Sequence, residues 1–217
     1  GGREESGLPL PGHISGVLLL ILTAIALLLI LIFTWQLRQG SKYLYNFPMS
    51  LPGCVGAAAG AVGLLVAAVG DLSRNDLLSI ISGVLGILAA VSLCVLAYCR
   101  LRGRQPNVLL HICVTVYLML HLLCRYRTWS SEPELLRFVF DLAATVCFLL
   151  ASYQRLAIEV GIAQRRGYLC MNMLGVFFAM AAMPGSSDRA FLVGMAAWAM
   201  TDLCSMRVRK PRKQEDA

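Results

Sequence analysis

The sequence predicts an all-α integral membrane protein, a polytopic bundle of about seven transmembrane helices with the N-terminus outside and the C-terminus in the cytoplasm. Of its 217 residues, 58% are hydrophobic and only 14% are charged, whereas a soluble domain carries about a quarter charged residues. Several apolar blocks reach the roughly 20 residues that a helix needs to cross the hydrocarbon core. Basic residues also collect on one side of these blocks, which indicates the orientation.

Seven apolar blocks are separated by short polar turns. The first is longer than the apolar region of a signal peptide, about 7–15 residues, so we expect it to be a retained span. The last two approach the lower length limit for a span, and one re-entrant hairpin is the alternative there. The predicted organisation is an extracytoplasmic tail over 1–13, a bundle over 14–206 and a basic cytoplasmic tail over 207–217. The blocks are approximately Ile14–Trp35, Met49–Gly70, Leu77–Tyr98, Val108–Cys124, Leu135–Tyr153, Tyr168–Met183 and Ala190–Met206.

The distribution of Lys and Arg predicts the orientation. With seven spans, 13 of the 19 basic residues fall on the side that holds the C-terminal tail, and the other 6 fall on the side of the N-terminal tail. Cytoplasmic loops retain an excess of Lys and Arg. We therefore expect the C-terminus inside, even if one loop is misplaced.

The net charge of +7 follows from these flanking residues. No basic stretch is interleaved with stacking aromatics, which excludes nucleic acid as the expected partner. The expected partner is the lipid bilayer, with anionic lipid near the tail, and a protein partner or a homodimer is compatible with the pattern. Compact loops without glycosylation sequons favour the plasma (inner) membrane of a bacterium. The tail residues expected near anionic lipid are Arg207, Arg209, Lys210, Arg212 and Lys213.

Small residues recur on two neighbouring blocks and predict close helix packing. The second block carries Gly56, Gly60 and Gly63, which lie on one face at steps of four and three. The third block carries Gly83 and Gly86 in the same rhythm. Close backbone approach through small residues drives helix association in lipid, so we expect these two helices to be the closest pair. A homodimer seam through Gly56 and Gly60 is the alternative.

Five polar side chains inside the later blocks are candidates for function, because such groups are costly in a membrane. From their depth, His111, Asn172 and Asp202 form an inner set, while His121 and Asp141 form an outer set. A proton relay could use groups of this kind. The alternative is that they are structural groups, paired with neighbouring Arg residues or with the backbone.

Asp141 lies about two turns into the fifth block, where an unpaired carboxylate would cost several kcal/mol. Arg137 lies one helical turn away, at the spacing that brings side chains together. His121 lies at a similar depth on the preceding block. We expect either an Arg137–Asp141 clamp or a His121–Asp141 pair that exchanges a proton near neutral pH.

No motif predicts an enzyme or a metal site. The eight cysteines form no CxxC pair and fall in or beside apolar blocks, as buried hydrophobic residues do. Neither a GxSxG elbow nor an HExxH motif is present, and no cofactor is expected. The predicted function is a non-enzymatic scaffold, sensor or accessory subunit. The alternative is a small-solute or proton-coupled transporter with polar groups on spans four to seven.

Overall fold

A computed structural model of the chain describes residues 14–36, 47, 49–74, 76–130, 138–162 and 165–206. This part of the chain is helical, as predicted, and the helices follow the apolar blocks closely. They are α1 (Ile14–Gln36), α2 (Leu51–Leu72), α3 (Leu77–Leu101), α4 (Val108–Ser130), α5 (Val139–Val160), α6 (Arg165–Ala182) and α7 (Arg189–Ser205). The predicted tails 1–13 and 207–217, the five basic tail residues and Arg137 lie outside the described residues.

The helices α2 to α7 form a closed ring. Each packs against the next one in the chain, and α7 packs along α2 to complete the circle. The first helix stands outside this ring and packs against α6. Short connections between successive helices make neighbours antiparallel, so α2, α4 and α6 run one way and α3, α5 and α7 run back.

Four of the described helices, α2 to α5, are long and apolar enough to cross a membrane. The helices α6 and α7 have 18 and 17 residues, so each is about 26 Å long at 1.5 Å per residue. Large apolar side chains cover the outer faces of the ring, as a lipid-facing surface requires. Examples are Val62, Val84 and Val91, each at least half exposed.

The centre of the ring is filled by apolar side chains. Leu64, Leu93, Leu118, Phe148 and Met195 come from five different helices, and each is at most 2% exposed. These residues belong to one contiguous core cluster. Because this core fills the space between the helices, the ring has a packed interior at its middle level.

The helices α2 and α3 form the most extensive contact among the described helices, as expected, and α2 and α7 pack almost as extensively. The glycine face of α2, however, packs mainly against α7 rather than against α3. A Cβ atom added at Gly63 would lie 3.0 Å from the Cα of Gly194, and one added at Gly60 would lie 3.2 Å from the Cβ of Trp198. Gly56 faces Thr201. Since α7 already fills this seam, the face through Gly56 and Gly60 is not open to a second copy of the chain.

The glycines of α3 allow close helix packing, as the sequence indicated, and they contact two neighbouring helices, α2 and α4. A Cβ added at Gly83 would lie 2.9 Å from the carbonyl oxygen of Ala68 on α2. One added at Gly86 would collide with Ala68 and with Tyr117 of α4. The ring therefore has two close glycine seams on α2, one with α3 and one with α7.

The helix ends depart from simple capping. Asp76 and Asp188 occupy the N-cap positions of α3 and α7, but neither side chain makes a cap hydrogen bond. Asp76 pairs with Arg127, and Asp188 pairs with Arg125. At the C-terminal end of α5, Gly161 is the capping residue. Its φ of 85° is a left-handed conformation that favours glycine.

Candidate functional site: two buried ionic clusters

Buried charged side chains gather at the two opposite ends of the ring. The first group lies where α3, α5 and α7 end and α6 begins; we call it the Asp202 cluster, made of Asp202, Arg100, Arg155, Tyr168 and Ser205. The second lies where α2 and α4 end and α7 begins; we call it the Asp71 cluster, made of Asp71, Ser82, His121, Arg125 and Asp188.

The Asp202 carboxylate is the centre of the first cluster and is completely buried. Arg100 from α3 donates to its Oδ1, and Arg155 from α5 donates to its Oδ2. The Tyr168 hydroxyl from α6 also donates to Oδ2, at 2.7 Å. One carboxylate on α7 therefore connects four helices, and each of its oxygens accepts a charge-assisted hydrogen bond.

Aromatic rings and a glycine complete the surroundings of the two guanidinium groups. The Arg155 guanidinium carbon lies 4.5 Å from the ring centre of Phe47 and 5.2 Å from that of Trp198, within the range of cation–π attraction. Arg100 passes directly over Gly53, where a Cβ atom would collide with its guanidinium group. The glycine on α2 thus makes room for the arginine on α3.

A His–Glu pair lies on α4 and α5 beside this cluster. The Nδ1 of His111 lies 2.6 Å from Oε1 of Glu159, and both side chains have no exposed surface. Arg155 precedes Glu159 by one helical turn, and its charge acts on both members of the pair. The predicted fifth block ends at Tyr153, so the sequence places both residues outside it. In the structure α5 continues to Val160, and both side chains point into the ring.

The Asp71 cluster joins four helices at the other end. The Ser82 hydroxyl donates to Oδ2 of Asp71 at 2.9 Å, and His121 Nδ1 lies 3.5 Å from the same oxygen. Arg125 lies 3.6 Å from the other oxygen of Asp71. Its guanidinium also makes two contacts of 2.6 Å with Asp188, the bidentate geometry that arginine favours.

Asp141 does not pair with His121, so that part of our expectation is wrong. His121 turns toward Asp71 instead, and its ring packs 4.6 Å from the ring of Phe191. The Asp141 carboxylate is buried and lies near the Ser186 side chain in the loop before α7. The other expected partner, Arg137, lies outside the described residues.

The remaining inner candidate, Asn172, has a structural contact and also lines a pocket. Its amide donates to the carbonyl oxygen of Tyr168 one turn earlier, at 2.8 Å. The pocket lies between α5, α6 and α7 and has room for about one water molecule. Ser152, Arg155 and Trp198 contribute polar groups to its wall. Of the three predicted inner residues, Asp202 and His111 thus face the ionic groups, and Asn172 faces this pocket.

Most of the charged partners were not predicted from the sequence. Arg100, Arg125 and Arg155 have the positions of flanking charges, although they are only 3–5% exposed in the structure. A signal was available on α5, where Ser152 is followed by Arg155 and Glu159 at steps of three and four. This spacing continues the buried face of the helix. The pairing of each arginine depends on contacts between distant helices and has no local signal.

Ion pairs and charge-assisted hydrogen bonds hold both clusters together. Within the described ranges no group of three His, Cys, Asp or Glu side chains is placed to hold a metal ion, and the cysteines are free thiols. None of the comparisons, with protein-family models, curated proteins and solved structures, finds a match to this chain.

Proposed function

We propose that the chain is a seven-span, non-enzymatic protein of the bacterial plasma membrane, a scaffold or sensor rather than a solute carrier. The packed interior of the ring is the observation that carries this proposal. Between the two clusters, Leu93, Val114 and Leu118 have no exposed surface. A carrier requires a binding site near the middle of the membrane, and here apolar side chains occupy that level.

The course of α7 supports seven spans over a re-entrant hairpin. Asp188, just before α7, pairs with Arg125 at the end of α4, while Asp202 near its other end pairs with Arg100 at the end of α3. The helix therefore runs between the same two levels as α3, one of the four helices with the length of a span. A re-entrant segment turns back before it reaches the far level.

The proposed orientation assigns the Asp202 end to the cytoplasm. Arg102 and Arg104 are exposed on the loop between α3 and α4 at that end. A basic loop of this kind is attracted to anionic lipid head groups of the inner leaflet. In this proposal the same basic surface, together with the tail residues, is available to a cytoplasmic protein partner.

Single-cysteine labelling tests the topology, starting from a variant in which the native cysteines are replaced. We expect cysteine at position 127 or 189 to react with a membrane-impermeant maleimide added to intact cells, because both positions are exposed at the Asp71 end. Cysteine at position 102 should react only after the cells are opened. Labelling of position 102 from outside would reverse the orientation, and labelling of position 189 only after opening would restore the re-entrant hairpin.

The packed interior can be tested with a native residue. Cys147 lies on α5 beside the core residue Phe148, faces Gly175 of α6 and is 8% exposed, so a variant that retains only Cys147 places one thiol in the buried seam between α5 and α6. We expect no reaction with a small water-soluble thiol reagent in membranes. A variant that retains only Cys204, which is exposed, is the accessible control. Rapid labelling of Cys147 would indicate a wet cavity and contradict the proposal.

The pocket beside Arg155 favours the second candidate, a small-solute or proton-coupled transporter that uses polar groups on α4 to α7. Its volume, about one water molecule, is too small for a solute in this conformation. Purified protein in proteoliposomes that enclose a pH-sensitive dye decides between the two. We expect no proton flux above that of empty liposomes when a pH gradient is imposed.

A further inference from the structure

Two buried histidine–carboxylate pairs occupy the described part of the ring, and their surroundings differ. At one end Asp71 has three partners, since Ser82 and Arg125 join His121 around its carboxylate. At the other end Glu159 has His111 as its close contact at 2.6 Å. The two carboxylates are equally buried, so the difference lies in how many groups stabilise a negative charge.

The surroundings of the His111–Glu159 pair provide little other stabilisation. Apart from the contact between them, the polar side-chain atoms of both residues make no hydrogen bond to any described residue. Arg155 is the one described side chain whose charge acts on both residues. That guanidinium is already engaged with Asp202 and the Tyr168 hydroxyl. A negative charge on Glu159 therefore depends on a shared cation and on one imidazole.

The charges around the pair explain how it can hold a proton. Arg100 and Arg155 carry two positive charges, and Asp202 carries one negative charge, so this triad has a net charge of about +1. An ionised Glu159 beside a neutral His111 balances that charge. When the pair takes up one proton, the whole assembly has a charge of about +1, and a buried net charge has a cost. The two states differ by one proton, and the same side chains stay in contact in both.

We propose that His111 and Glu159 together form a proton-binding site while the protein stays folded. In the deprotonated state neutral His111 donates its Nδ1–H to the ionised Oε1 of Glu159. When one proton is taken up at Nε2, the proton on Nδ1 moves to Oε1, and the neutral carboxyl group then donates to Nδ1. The proton comes from the solvent, and no bond other than those to hydrogen forms or breaks. Histidine is the side chain suited to this exchange near neutral pH. The site is separate from the proposed scaffold role, because the pair binds its proton whether or not the protein recruits a partner.

The Asp71 pair provides a matched control within the same molecule. Its carboxylate accepts a hydrogen bond from Ser82 at 2.9 Å and faces Arg125, and both contacts favour the ionised form. We therefore expect Asp71 to remain ionised over the pH range in which Glu159 exchanges its proton. The comparison separates a specific proton site from a general effect of burial.

Infrared difference spectroscopy of the purified protein in lipid tests the proposal. Between about pH 5 and pH 8, we expect the carbonyl stretch of a protonated buried carboxyl group to appear as the pH falls. Labelling with 13C-glutamate should shift this band, which identifies it as Glu rather than Asp. Glu159→Gln should remove the band, and Asp71→Asn should leave it in place.

Three outcomes would overturn the proposal. The first is the absence of a buried carboxyl band at every pH in this range, since Glu159 would then stay ionised. The second is a band that does not shift with labelled glutamate, because it would belong to an Asp. The third is a band that does not change with pH. The labelling experiment uses the unmodified chain, so it remains decisive even if Glu159→Gln does not fold.

Discussion

At the scale of single residues, Asp202 is the carboxylate that accepts hydrogen bonds from the most side chains among the described residues. Arg100, Arg155 and Tyr168 all donate to it, and they belong to three different helices. In a low-dielectric interior such a carboxylate adds little net stability, but it allows the two arginines to be buried. Removal of one partner would leave a buried charge without compensation and would strongly destabilise the protein.

We expect Asp202→Asn to lower the free energy of unfolding by about 3–5 kcal/mol, the usual cost of leaving buried charges without their partner. Asparagine has nearly the same shape as aspartate, so the effect reports charge rather than volume. The measurement is unfolding in mixed micelles during titration with a denaturing detergent. Asp76→Asn is the control, because the Asp76–Arg127 pair is exposed and contributes at most about 1 kcal/mol. Equal stability of the two variants would contradict this role of Asp202.

At the scale of helices, α7 holds the ring together through its two ends and its middle. Asp188 and Asp202 anchor the ends, and Gly194 lies against the glycine face of α2 in between. The backbone contact is close because a Cβ added at Gly194 would lie 2.8 Å from the Cα of Gly63. Lipid supplies no hydrophobic force between helices, so this contact carries much of the association.

We expect Gly63→Leu to destabilise the protein by about 1–3 kcal/mol or more, because the added side chain forces α2 and α7 apart. Gly70→Leu on the same helix is the matched control, since a Cβ at Gly70 meets nothing within 4 Å. That change should stay within about 0.5 kcal/mol. Both variants are compared by the detergent titration used for Asp202→Asn. If Gly63→Leu were as stable as Gly70→Leu, the close seam would be refuted.

The sequence predicted the helices well because their signal is local. The predicted blocks begin at the same residues as the helices, Leu77 for α3 and Val108 for α4. The sequence also located the glycine faces, since spacing alone defines a face. It did not identify α7 as the partner of the α2 glycines, because Gly63 and Gly194 are far apart in the chain and no local pattern connects them. For the same reason His121 was matched with Asp141 instead of Asp71.

At the scale of the whole molecule, the six helices α2 to α7 form the closed ring, and α1 packs on its outside. Each helix from α2 to α7 contacts two neighbours in the ring, while α1 packs against α6 on the outside. Large side chains on α1 such as Leu22, Leu28 and Leu29 are more than half exposed. The first helix therefore contributes little to the core.

We expect a variant without residues 1–36 to insert and to keep most of the stability of the full chain. A variant that ends at residue 182 should instead accumulate poorly and aggregate on size-exclusion chromatography in detergent. The reason is that loss of α7 removes Asp188 and Asp202, the partners of Arg125, Arg100 and Arg155. The opposite order of tolerance would show that the ring is not the stable unit.

The contact between α2 and α7 also has a consequence for biosynthesis. Ribosomes make α2 early and α7 only after about 120 further residues. The glycine face of α2, Arg100 and Arg155 are therefore synthesised before their partners Gly194 and Asp202 on α7. During this interval the unfinished chain presents uncompensated charges at the edge of the bilayer, where water and anionic lipid head groups can hold them. Assembly of the ring is thus a late, single event, and any chaperone or protease that recognises exposed intramembrane charge would act in the interval before it.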